Sequence, residues 1–128
     1  MTEPVWLHWW ARGDGGESGG LPALLEDFKI DSAALDGLDV LFGTYGSYGS
    51  YGGDAFVLLR RAGDGALLRV DASHCSCHGL EDQWEPEETS VAALRLALAG
   101  EAFGTEGESP FAAELTALLD AMAGDNED

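Results

Sequence analysis

The chain has 128 residues, 45% of them apolar, and sets 24 acidic residues against six basic ones for a formal net charge of −18. That length is a common size for one domain, and the apolar share suits a packed fold rather than a disordered chain. Such a field repels nucleic acid and anionic membranes and attracts basic protein surfaces, so it argues against a direct DNA, RNA or lipid binder.

A GC-rich genome or a salty cytoplasm would produce much of the same bias with no partner involved. The start, Met1-Thr2-Glu3-Pro4, lacks the basic region of a signal peptide, and no apolar run reaches the length of a membrane span. A cytoplasmic location follows as an expectation, with Cys75 and Cys77 reduced, because a bridge across one residue is too tight for relaxed geometry.

In chain order, residues 5–10 form a short apolar run and read as a first strand. Residues 11–20 are a Gly-rich polar loop, expected to be mobile. Leu21, Leu24, Leu25 and Phe28 share one helical face, with Pro22 in the first turn. Residues 31–35 predict a helical turn capped by Asp31 or Ser32 and ending near Gly37. Three strand candidates follow, at 39–45, 55–60 and 67–71, and Gly63-Asp64-Gly65 supplies a hairpin turn between the last two.

Glu85-Pro86-Glu87-Glu88 reads as a helix start, with proline in the first turn and carboxylates at the positive end of the dipole. Val91, Leu94 and Leu98 line that helix, and Gly100 ends it. Ser109 caps a last helix whose apolar stripe is Phe111, Leu115, Leu118, Leu119 and Met122, stopped by Gly124. Residues 124–128 are a charged tail. The expectation is one α+β domain over 1–128: an antiparallel meander of three to four strands packed against three to four helices.

Three stretches could carry chemistry. Tyr45, Tyr48 and Tyr51 recur every third residue among Gly and Ser, which predicts a loop over 44–53. Those tyrosines either form a protein-binding surface or fold back as a lid on the core. His74, Cys75, Cys77 and His78 place four potential zinc ligands within five residues. Structural zinc sites draw pairs from separated segments, and strand alternation would split these four. One ion would then need help from Asp71 or Glu81. The bland alternative is a buried thiol pair with histidines bonded to backbone.

A nucleophilic cysteine is disfavoured, because surrounding carboxylates raise a thiol's pKa, and no phosphate loop, nucleophile elbow or metalloprotease motif occurs. The expectation is a protein that is not an enzyme.

The third stretch gathers Glu81, Asp82, Glu85, Glu87 and Glu88 around Trp84. It reads as an acidic surface with an aromatic anchor for an Arg/Lys-rich groove, or as a staple and dipole partner for a helix.

Residues 43–89 resemble a family of small uncharacterised phage and bacterial proteins. The likeness rests on Tyr45, Tyr48 and Tyr51-Gly52-Gly53-Asp54, then Ser73-His74-Cys75-Ser76-Cys77, Gly79-Leu80-Glu81, Gln83-Trp84 and Pro86-Glu87-Glu88-Thr89. His78 departs from the aromatic residue of that pattern. The resemblance implies a phage or mobile-element setting and no mechanism.

Charge and setting together suggest an acidic inhibitor of a basic nucleic-acid-processing enzyme, such as a nuclease or CRISPR effector, whose carboxylates imitate phosphates. Glu101, Glu106, Glu108, Glu114 and Asp120 would extend that surface. A toxin immunity protein belongs to the same physical class. The alternatives are a metal- or redox-responsive protein using the His-Cys cluster, or an acidic housekeeping domain with no partner.

Overall fold

Apolar alternation on two sides decides the architecture. The computed structural model describes residues 4–8, 20–47, 53–74, 80, 83–100 and 111–125. Five strands form one sheet in the order β1 (Val5–His8), β2 (Leu38–Ser47), β3 (Gly53–Arg61), β4 (Leu67–His74), β5 (Glu87–Thr89). β1 runs parallel to β2, and every other neighbouring pair is antiparallel. Helix α1 (Gly20–Phe28) lies between β1 and β2 in the chain, as a parallel pair requires of its crossover. Helices α2 (Val91–Gly100) and α3 (Ala112–Asp125) follow the sheet.

β3 is central and buried along both faces, so its residues divide between two cores. Ala55, Val57 and Leu59 join Leu24 and Phe28 of α1 with Leu68, Val70 and Leu80. Phe56 and Leu58 join Phe42, Leu94 of α2, and Leu115 and Leu119 of α3. The sheet is thus the middle layer of three. The stripe Phe111, Leu115, Leu118, Leu119 and Met122 falls in the second core, as the helical spacing predicts. A bulge between Val40 and Phe42 lets Leu41 and Phe42 both enter that core while Val40 packs on the other side.

α1 ends in a Schellman motif. The Ile30 N–H donates to the Leu25 carbonyl (3.0 Å) and the Lys29 N–H to the Glu26 carbonyl (3.2 Å). Lys29, the one lysine, takes φ +60° at the position where glycine is favoured. Asp31 caps the 3-10 turn Ser32–Leu35, accepting from the Ala33 N–H, as its sequence predicts.

The fold is α+β as expected, with one more strand and a parallel edge. Three expectations are corrected. Residues 44–47 and 53, expected in a loop, are strand instead: Tyr45 and its neighbours continue β2 as far as Ser47 and β3 begins at Gly53, while 48–52 lie outside the described residues. The helix expected at Glu85-Pro86 begins instead at Val91, capped by Ser90, whose hydroxyl accepts from the Ala93 N–H. Finally, α3 runs through Gly124 to Asp125. Trp10 and residues 11–19 lie outside the described residues.

Candidate interaction surface

The segment 83–89 builds the most distinctive surface. Glu87 pairs with Arg69 and Thr89 with Leu67, and the same register carried back sets Glu85 beside Asp71 and Gln83 beside Ser73. At Ser73 the Gln83 side chain takes the place of a strand backbone. Its oxygen accepts from the Ser73 N–H (3.0 Å) and its nitrogen donates to the Ser73 carbonyl (2.9 Å). An in-register extended segment exposes alternate residues on alternate faces. Gln83, Glu85 and Glu87 therefore share one side with Arg69 and Asp71, and the five line an open depression of about 340 Å³.

Arg69 organises this side. It donates from Nε and Nη2 to both Asp71 carboxylate oxygens, at 2.7 and 2.9 Å, and its guanidinium lies 5.4 Å from the Phe56 ring centroid. Phe56 stacks on Phe111 at 5.4 Å, and Phe42 meets both rings at about 6 Å. The charged depression is thus seated directly on the aromatic core under the helices. One guanidinium faces three carboxylates, and Glu85 and Glu87 are exposed.

The reverse side of the segment is mechanical. Trp84 packs into the α1 core with its ring edge-on to Phe28, centroids 5.1 Å apart. Glu88 lies opposite Leu68 and bonds Arg61 at 2.9 Å. Arg61 also clamps Asp64 with two hydrogen bonds of 3.0 and 2.9 Å. The Arg61 hydrogen bond, helped by the Ala66 N–H, holds the Asp64 carboxyl down at about pKa 2, and the two carboxylates hold the guanidinium proton more tightly than usual. Gly65, at φ +77°, completes the turn that the sequence places at Gly63-Asp64-Gly65.

The expected acidic patch is therefore divided. Strand alternation sends Glu85 and Glu87 to one face and Trp84 and Glu88 to the other. Tyr45 is half-buried against the α1 core as a residue of strand β2. Glu81, Asp82, Tyr48 and Tyr51 lie outside the described residues, as do Cys75, Cys77, His78 and the acids Glu101, Glu106 and Glu108. His74 closes β4. Among the described residues no group of three or more His, Cys, Asp or Glu is placed to hold a metal ion. Asp120 bonds Arg95 at 2.9 Å, tying α3 to α2, and Glu114 is exposed. Reading 85–88 as a helix start concealed Arg69 and Gln83. The signal was the period of two through Gln83, Glu85, Glu87 and Thr89.

No family model, curated protein or solved structure matches the chain. Among the described residues no helix is long and apolar enough to cross a membrane.

Proposed function

We propose that the chain is an acidic binding protein that antagonises a basic nucleic-acid-processing enzyme, and that Glu85 and Glu87, backed by Asp71, form its contact surface. The observation that carries this reading is the in-register placement of those carboxylates on one rigid face of the sheet. Residues two apart on a strand repeat every ~6.8 Å, which makes a fixed row of negative charge in place of a string of phosphates. Arg69 satisfies Asp71, so Glu85 and Glu87 are the outward charges. Gln83 and Trp84 hold the row in place from both sides of the sheet.

With a net charge of −18, long-range attraction would speed encounter with a lysine- and arginine-lined channel, and salt would weaken it. A phage counter-defence protein acting on a nuclease or CRISPR-type effector, and an immunity protein acting on a basic toxin, use the same contact.

The test is capture of partners from host lysate by the tagged chain, with stepped salt elution and mass spectrometry, beside Glu85→Lys/Glu87→Lys. Retention of one basic nucleic-acid enzyme, released by competing DNA and lost in the double variant, is the expected result. Capture that is indifferent to salt and to both substitutions would contradict the reading.

A further inference from the structure

Arg69 and Asp71 stand two residues apart on one face of β4, and Phe56 lies opposite Asp71 in the β3–β4 register. Arg69 itself lies opposite Leu58, so its side chain runs along the strand to reach both groups. There the guanidinium meets the two contacts by which this group is generally recognised. One is both oxygens of a carboxylate, at 2.7 and 2.9 Å; the other is an aromatic ring 5.4 Å away. Phe56 is buried and stacked on Phe111, so its ring is a fixed platform. The position is a guanidinium seat, filled by the chain's own arginine.

That occupant is not locked in. The Arg69 and Asp71 side chains are 24% and 52% exposed, and ion pairs that solvent reaches contribute little to stability, so the pair can open without unfolding the sheet. Beside it the open depression of about 340 Å³, walled by Gln83, Glu85 and Glu87, leaves space for a second cationic side chain. A guanidinium arriving there would meet Asp71, Glu85 and Glu87, with one cation already among them. An ammonium would meet the same charge, but it lacks the planar fork that takes both oxygens of Asp71 at once.

Given a contact surface at Glu85 and Glu87, on which this step rests, we propose that the seat recognises an arginine of the partner. Arg69, by keeping the seat filled, is an internal competitor that limits the affinity of the acidic face. It is a specificity-determining residue, not part of the attraction. Its removal frees the Asp71 carboxylate and uncovers the Phe56 ring together. Losing one positive charge strengthens the face toward any cation, whereas the emptied seat favours a guanidinium over an ammonium.

Calorimetric titration of the whole chain with a hexa-arginine and a hexa-lysine peptide tests this without the natural partner. Wild type, whose seat is filled, should bind the two about equally. Arg69→Ala should bind the arginine peptide about tenfold more tightly, with a much smaller gain for the lysine peptide. Adding Asp71→Asn to that variant should abolish the arginine preference. Arg69→Thr, which suits a strand, decides if the alanine variant loses its circular dichroism. A missing arginine preference removes the seat and leaves Glu85 and Glu87 as the contact. Partner capture indifferent to salt and to Glu85→Lys/Glu87→Lys removes the contact whatever the peptides show, so the two failures are distinct. Equal gains for both peptides in a folded Arg69 variant, no gain at all, or a preference that survives Asp71→Asn would overturn the proposal.

Discussion

The two halves of the sheet's helical face meet at Phe56 and could hardly be more different. On one side of that ring, Phe42 and Leu58 are buried together with Leu94 of α2 and Leu115 and Leu119 of α3. On the other, Arg69 covers the same ring and opens onto Asp71, Glu85 and Glu87. The strand geometry is continuous across the boundary, so backbone form does not separate the halves. What separates them is whether the side chains pointing off the sheet are apolar enough to recruit a helix. The first half should govern stability and the second, recognition.

Changes on either side of that boundary test the division. Phe56→Ala should cost the most, about 3–5 kcal/mol in chemical denaturation, because it empties the stack with Phe42 and Phe111. Gln83→Ala should cost about 0.5–1.5 kcal/mol, since the exposed main-chain groups of Ser73 exchange their side-chain partner for water, and should also loosen the acidic row. Lys29→Gly should stabilise by about 0.5–1 kcal/mol by relieving a left-handed residue, with no effect on binding. Glu85→Lys/Glu87→Lys should move stability by no more than about 0.5 kcal/mol for each change, because both side chains are exposed. A large stability loss there would show that the row is structural rather than a contact.

Acid sharpens the picture at the hairpin. Asp64 titrates at about 2 in the folded chain against 3.8 for an ordinary carboxyl. Between those values the unfolded chain binds the extra proton, so stability falls as pH drops from about 4 toward 2 and the clamp is fully in place only above that window. Asp64→Asn should melt lower than wild type above pH 4, and the gap should narrow by pH 2.

Much of the layering was legible in the sequence, and the reasons are local. The stripe from Phe111 to Met122 and the Leu24/Phe28 face show a helical period strong enough to read without a structure. The Gly63-Asp64-Gly65 turn is equally plain, because its chemistry is contained in three residues. The parallel pairing of β1 was not legible, since orientation depends on where α1 crosses. Nor was the division of Glu85 and Glu87 from Glu88. Pro86 with three neighbouring glutamates imitates a helix start, and only the Gln83 bonds to Ser73 and the pairing of Glu87 with Arg69 reveal an extended segment. Trp84 reads as a surface anchor or as a staple before a helix for the same reason: without the alternation, nothing says that it faces Phe28.

The central claim is that recognition belongs to one face, and equal charge changes on the two faces test it most directly. Binding of the captured basic enzyme would be measured for wild type, for Glu85→Lys/Glu87→Lys, and for Glu26→Lys/Asp36→Lys, whose exposed acids lie in α1 and just after the 3-10 turn. The expected result is loss of binding in the first variant and near-wild-type affinity in the second, with all three chains equally folded. Equal weakening by both variants would contradict the claim, because net charge alone would then account for the interaction.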